Sequence, residues 1–177
     1  MTDPFPIRVA IRADVGGLHS LVERAYRGDE ARRGWTHEAD LLGGQRTDAE
    51  ALRAIVDDPD QRILIATDAG AVVGCVQLSA KGAGLCYLGL LSVDPSRQAA
   101  GLGKRLLDVA ERYARDQLEA RTMEMTVIKQ RGELVRYYQR RGYALTGEER
   151  PFPLDDPRFG LPRTRELVFV VMAKEIG

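Results

Sequence analysis

The chain of 177 residues (19.6 kDa) has 26 basic and 26 acidic side chains and is 44% hydrophobic. At roughly 100–200 residues per domain this implies one soluble domain, long enough to bury a core without disulfide or metal staples. Zero net charge excludes a protein whose main work is neutralising nucleic-acid phosphates, and no apolar run approaches the roughly 20 residues that cross a bilayer.

The N-terminus lacks the basic start and apolar stretch of a secretory signal, so a cytoplasmic location is expected. Ile7 to Ile11 reads as a strand and Asp14 as an N-cap. Val15, Leu18, Val22 and Ala25 then form the stripe of a first helix ending at Gly28. Residues 29–46 form a loop carrying Trp35, His37, Glu38 and Asp40, a dense set of functional side chains and a candidate substrate wall. Thr47 and Glu50 make a capping box for a second helix that runs to about Asp58.

Arg62–Thr67 and Ala71–Leu78 are strands joined by hairpin chemistry at Asp68-Ala69-Gly70, and Leu85–Val93 is a third strand stopped by Asp94-Pro95. Apolar positions 106, 109, 110 and 113 predict a helix from Leu102 to about Leu118. A strand over Thr122–Ile128, a helix over Glu133–Arg141 stopped by Gly142, and a strand opening at Tyr143 follow. Four prolines in Pro151–Pro162 predict a long loop before a last strand, Leu167–Ala173. Hairpins mixed with crossover helices call for a mixed sheet. Cys75 and Cys86 sit in apolar stretches and read as buried small hydrophobes, and neither His19 nor His37 has a neighbour at ligand spacing, so no metal is expected.

The most informative run is Val93-Asp94-Pro95-Ser96-Arg97-Gln98-Ala99-Ala100-Gly101-Leu102-Gly103-Lys104. A strand breaks at proline and a glycine turn opens a helix, whose first N–H groups suit a pyrophosphate, with Arg97 and Lys104 at hand as cations. A dinucleotide fingerprint is excluded because Leu106 replaces its third glycine. A P-loop is excluded by Gln98 and Arg105.

Gln98 to Gly103 resembles the Gln/Arg-x-x-Gly-x-Gly/Ala motif of the GNAT superfamily of acyl-CoA-dependent N-acyltransferases, preceded as in that family by a strand, here ending Leu91-Ser92-Val93. A second match is the helix Leu134–Arg141, whose Tyr138 stands four residues before Gly142-Tyr143. The resemblance spans nearly the whole chain. It implies one α/β (α+β) domain, residues 1–177, with a mostly antiparallel mixed sheet of about seven strands flanked by four helices. It implies an acetyl group moved from acetyl-CoA to a primary amine of a small molecule or peptide by direct attack.

Under the same resemblance, main-chain groups of the Leu91-Ser92-Val93 strand pair with the pantetheine arm, the amide of Leu91 or Val93 polarises the thioester carbonyl, and the Gln98, Ala99, Ala100, Gly101, Leu102, Gly103 and Lys104 amides hold the pyrophosphate. Tyr138 protonates the departing thiolate. Relatives often dimerise through C-terminal strands, which points to Leu167–Ala173 for a homodimer.

Two positions depart from the family. No carboxylate stands in Cys86-Tyr87-Leu88-Gly89-Leu90, where many relatives carry a glutamate base. Candidate replacements are Glu38, Asp40 and Glu124, or Tyr87 relaying through water. Arg131 replaces an asparagine that contacts the cofactor arm, and would reach a phosphate or an acidic group on the acceptor. Trp35 would pack an apolar acceptor, with Glu38, Asp40 and Tyr87 beside it. The missing glutamate also leaves open a non-catalytic acyl-CoA-binding module, or transfer of a longer acyl group. Neutral charge weighs against a nucleic-acid partner.

Overall fold

The computed structural model describes residues 3–26, 42–43, 47–152, 161–162 and 167–177. The strands are β1 (Ile7–Val9), β2 (Leu42–Gly43), β3 (Gln61–Asp68), β4 (Ala71–Gly82), β5 (Leu85–Val93), β6 (Thr122–Ile128), β7 (Ala144–Pro151), β8 (Leu161–Pro162) and β9 (Val168–Glu175). The helices are α1 (Val15–Tyr26), α2 (Ala49–Asp57), α3 (Leu102–Gln117) and α4 (Gly132–Arg140). A seven-stranded sheet runs β1-β3-β4-β5-β6-β9-β7. Every pairing in it is antiparallel except β5 with β6.

Two tight turns build the β3-β4-β5 meander. Ala69 and Gly70 (φ 49° and 86°), then Ala83 and Gly84 (φ 53° and 77°), supply the paired positive φ of two-residue hairpin loops. The second turn lengthens β4 beyond the predicted Leu78 to Gly82.

Alternation sorts the apolar side chains onto two faces. On one, Leu64, Val76, Leu78, Cys86, Leu88 and Met123 pack under Leu102, Leu106, Leu107 and Ala110 of α3. On the other, Ile63, Ile65 and Cys75 pack under Leu18, Leu21 and Val22 of α1 and Leu52 of α2. Each fully buried aliphatic side chain contributes about 1.5–3 kcal/mol. The two cysteines are buried on opposite faces and are not bonded to each other. Among the described residues no helix is long and apolar enough to cross a membrane, and no cluster of three metal-ligating side chains occurs.

Both predicted caps shift. Asp14 lies in a 3-10 turn, Arg12–Asp14, and its carboxylate turns back to accept from the Ile11 N–H at 2.8 Å and the Arg8 guanidinium at 2.8 and 2.9 Å. The cap of α2 is Asp48, which accepts from the Ala51 N–H at 2.7 Å, because the helix starts one residue later than the capping box at Thr47 predicts. Thr47 instead donates its N–H to Glu23 at 2.9 Å. The loop at 29–46 and the proline-rich segment meet through β2 and β8, which pair antiparallel. Strand β9 is flanked on both edges, by β6 and β7, so the exposed edge at this end of the sheet belongs to β7 rather than to the Leu167–Ala173 segment.

Candidate functional site

Gln77 pairs with Gly89 and Cys75 with Ser92, so three steps along β5 (89 to 92) face two along β4 (75 to 77). The extra residue is Leu90, at φ +49°, a conformation that costs a branched side chain energy and marks a β-bulge. The bulge puts Leu90 in the core beneath α1, whereas Leu88, Leu91 and Val93 face α3. It is pinned from several sides. The Tyr26 hydroxyl donates to the Leu91 carbonyl, and the Leu90 carbonyl accepts from Ser92 Oγ at 3.0 Å and Cys75 Sγ at 3.4 Å.

Strand β5 pairs with β6 only through Leu85, Cys86 and Tyr87, opposite Thr122, Met123 and Glu124. Beyond Tyr87 the two strands part. The Asp94 N–H donates to the Val73 carbonyl at 2.9 Å, so by alternation Leu91 and Val93 turn their main-chain groups away from β4, towards this gap.

At the far end of the gap the chain turns into α3. Asp94 caps a 3-10 turn, Pro95–Ala100, accepting from the Ser96 N–H at 3.0 Å and Ser96 Oγ at 2.7 Å. Burial alone would raise the Asp94 carboxyl, but these bonds and Arg24 hold it below its ordinary value. Gly101 (φ 72°) redirects the chain, and the first i→i−4 bond of α3 is from the Arg105 N–H to the Gly101 carbonyl. The amides before it are helix N-terminal donors. A Cβ on Gly101 would meet nothing within 4 Å, so the main chain there is open to a ligand. Lys104 is exposed. Arg97 is engaged elsewhere, 2.6 Å from Asp68.

Tyr138 is buried on α4 with edge-on contacts to Tyr137 and Tyr143, ring centroids 5.3 and 5.9 Å away. Burial raises its pKa well above that of a free phenol. The Tyr26, Tyr137 and Tyr87 hydroxyls add to the rise and Arg131 opposes it, so the group keeps its proton across neutral pH. Arg131 is itself buried, 3% exposed, with Nε 3.5 Å from Glu133. On the α1 side of the junction, the Tyr87 hydroxyl and Thr126 Oγ1 are 2.5 Å apart, and Glu124 is ion-paired to Arg150 at 2.9 Å.

The structure therefore brings together Leu91, Ser92, Val93, the turn to Lys104, Arg131, Tyr138, Tyr87 and Glu124. Trp35, Glu38 and Asp40 lie outside the described residues. Sequence reasoning missed Tyr26, the bulge, Arg150 and the polar pair Gln77 and Ser79. The last had a signal: two polar residues at strand spacing in the apolar run of β4.

A family model described as an acetyltransferase (GNAT) domain matches residues 30–152. No curated protein matches the chain significantly. Among solved structures, yncA from Salmonella typhimurium, solved with its cofactor acetyl-CoA, is 18% identical with a TM-score of 0.71, covering 99% of this chain and 95% of that one. A GNAT-family acetyltransferase from Streptococcus pneumoniae is 20% identical (TM-score 0.69; 97% and 99% covered). A chimera of the spermidine N-acetyltransferase SpeG from Vibrio cholerae and hSSAT is 15% identical (TM-score 0.70; 98% and 96% covered). At these identities the likenesses show the fold.

Proposed function

The chain belongs to the GNAT acetyltransferase family, and from that premise we propose that it moves an acetyl group from acetyl-CoA to a primary amine by direct attack in a ternary complex. The observation that carries this reading is the gap beyond Tyr87 and Glu124. One wall presents main-chain groups of Leu91 and Val93, one end presents the first amides of α3, and Tyr138 lies close enough to feel the Tyr26 hydroxyl bonded to Leu91. A pantetheine arm fits the first and a pyrophosphate the second.

In the reaction the amine lone pair forms an N–C bond with the thioester carbonyl carbon. The carbonyl electrons move to oxygen, where the amide of Leu91 or Val93 meets them. Collapse breaks the C–S bond, the sulfur keeps the pair, and Tyr138 supplies its proton. The amine gives up one proton, so the sum is an amide and a thiol. A lysine-like amine, pKa about 10.4, must first lose its extra proton, at a cost of roughly 4–5 kcal/mol at pH 7. Glu124, ion-paired to Arg150, and Tyr87 through water are the described candidates to receive it; Glu38 and Asp40 are the others. Arg131, buried beside Tyr138, keeps the phenol pKa from rising further. The acceptor is a small-molecule or peptide amine, and a homodimer would meet through β7.

Calorimetric titration with acetyl-CoA tests the reading. Wild type should bind saturably, and Gly101→Glu, which places an anion on a positive-φ residue at the amides, should abolish binding. Tyr138→Phe should bind within about twofold of wild type, while acetylation of a panel of primary amines falls about 10²-fold, the scale of a lost general acid. Absence of binding to wild type at millimolar acetyl-CoA would overturn it.

A further inference from the structure

A chain of side-chain amides leads into the site from the α1 side of the sheet. The Asp58 carboxylate accepts from Gln61 Nε2 at 2.8 Å, and Gln61 Oε1 accepts from Gln77 Nε2 at 2.6 Å and Ser79 Oγ at 3.1 Å. Gln77 Nε2 also lies 3.4 Å from Ser79 Oγ. An ionised carboxylate only accepts, so its bond sets the direction of every later one. Gln61 must turn its NH2 to Asp58 and its oxygen to Gln77, and Gln77 must turn its NH2 back to Gln61. Asp58 stays ionised at neutral pH, because the bonds from Gln61 and the Asp60 N–H hold its pKa below the ordinary value.

The end of this chain is Gln77 Oε1, which faces Gly89, the residue just before the bulge. A Cβ built on Gly89 would touch Gln77 Oε1 at 3.5 Å and the Tyr87 ring at 3.4 Å, so an oriented carbonyl and an aromatic edge flank the face of the chain that the glycine leaves bare. Gly89 is two residues from Leu91, at most about 7 Å along the chain.

Resting on the acetyl-transfer reading, we propose that the acceptor nitrogen sits against the bare face of Gly89 and that Gln77 Oε1 accepts one of its N–H bonds, with Asp58 and Gln61 as positioning residues. A carboxamide oxygen is too weak a base to take the proton, so it holds one hydrogen while the other leaves. A nitrogen that keeps one N–H and loses another must begin as a primary amine. The contact therefore favours RNH2 over R2NH by one hydrogen bond, about fivefold.

Two non-reactive CoA thioethers test this without a known acceptor. Carboxamidomethyl-CoA ends in NH2 and acetonyl-CoA ends in CH3, at nearly equal size. By calorimetry wild type should bind the carboxamide about fivefold more tightly, the scale of one hydrogen bond. Gln77→Leu should bind both equally, at the wild-type affinity for acetonyl-CoA. Asp58→Asn, which no longer fixes the direction of the chain, should show an intermediate preference. Equal binding by wild type, or an undiminished preference in Gln77→Leu, overturns the proposal alone. Failure of both ligands on wild type overturns the acetyl-CoA reading as well. If Gln77→Leu loses both ligands through misfolding, Asp58→Asn decides: a reduced preference supports the proposal and an unchanged one overturns it.

Discussion

Tyr26, the last residue of α1, donates a hydrogen bond from its hydroxyl to a carbonyl 65 positions away, at the bulge that aims β5 into the gap. Tyr26→Phe keeps the ring in its core and removes only that donor. It should cost about 1 kcal/mol in a urea unfolding series, the net worth of a typical hydrogen bond, and should weaken acetyl-CoA binding in a calorimetric titration. A carbonyl has a second lone pair, so Leu91 can serve Tyr26 and a ligand together. Such a pair is invisible in sequence because its partners share no local pattern. Tyr138 and Gly101 were legible for the opposite reason: each stands at fixed spacing from neighbours on its own turn or helix. Gln77 was half legible, as a polar residue where β4 should be apolar, but its direction depends on Asp58 and Gln61, and only folding brings them together.

Among the elements, the helices were legible from their apolar period and the β3-β4 hairpin from its turn residues. Their ends were not. Thr47 and Asp48 both have capping chemistry, and in the fold it is Asp48 that accepts from the Ala51 N–H. The bulge was hidden because Leu85–Val93 is nearly all apolar, and such a run gives no alternation to break. The turn Asp94–Gly101 carries a pH prediction. The folded Asp94 has a lowered pKa, so its bonds add stability at pH values above the unfolded carboxyl value, about 3.9, and that contribution is lost as pH falls through the lower folded one. Wild type should therefore lose more stability between pH 6 and pH 3 than Asp94→Asn does, as read from urea midpoints at the two pH values.

For the molecule as a whole, element order was legible apart from the two-residue strands β2 and β8, which fall in segments read as loops, and strand order was not, since no local signal tells β9 to enter between β6 and β7. The sheet is two parts joined by three residue pairs at the β5-β6 junction. A ligand seated in the gap touches both. Acetyl-CoA at 100 times its dissociation constant should stabilise the fold by about 2.7 kcal/mol, and hydrogen exchange should slow at Leu91 and Val93 and at the first turn of α3. The junction also has a consequence in time. The two hairpin loops close over a few residues, so the β3-β4-β5 meander can form as soon as Val93 has left the ribosome, whereas the opposite wall of the gap waits for Thr122–Ile128 and for the β9 residues that pair with it, through Glu175. A nascent chain thus completes its hairpins before it has anywhere to place a donor, and the second wall of the gap stands only once the chain has been made through Glu175.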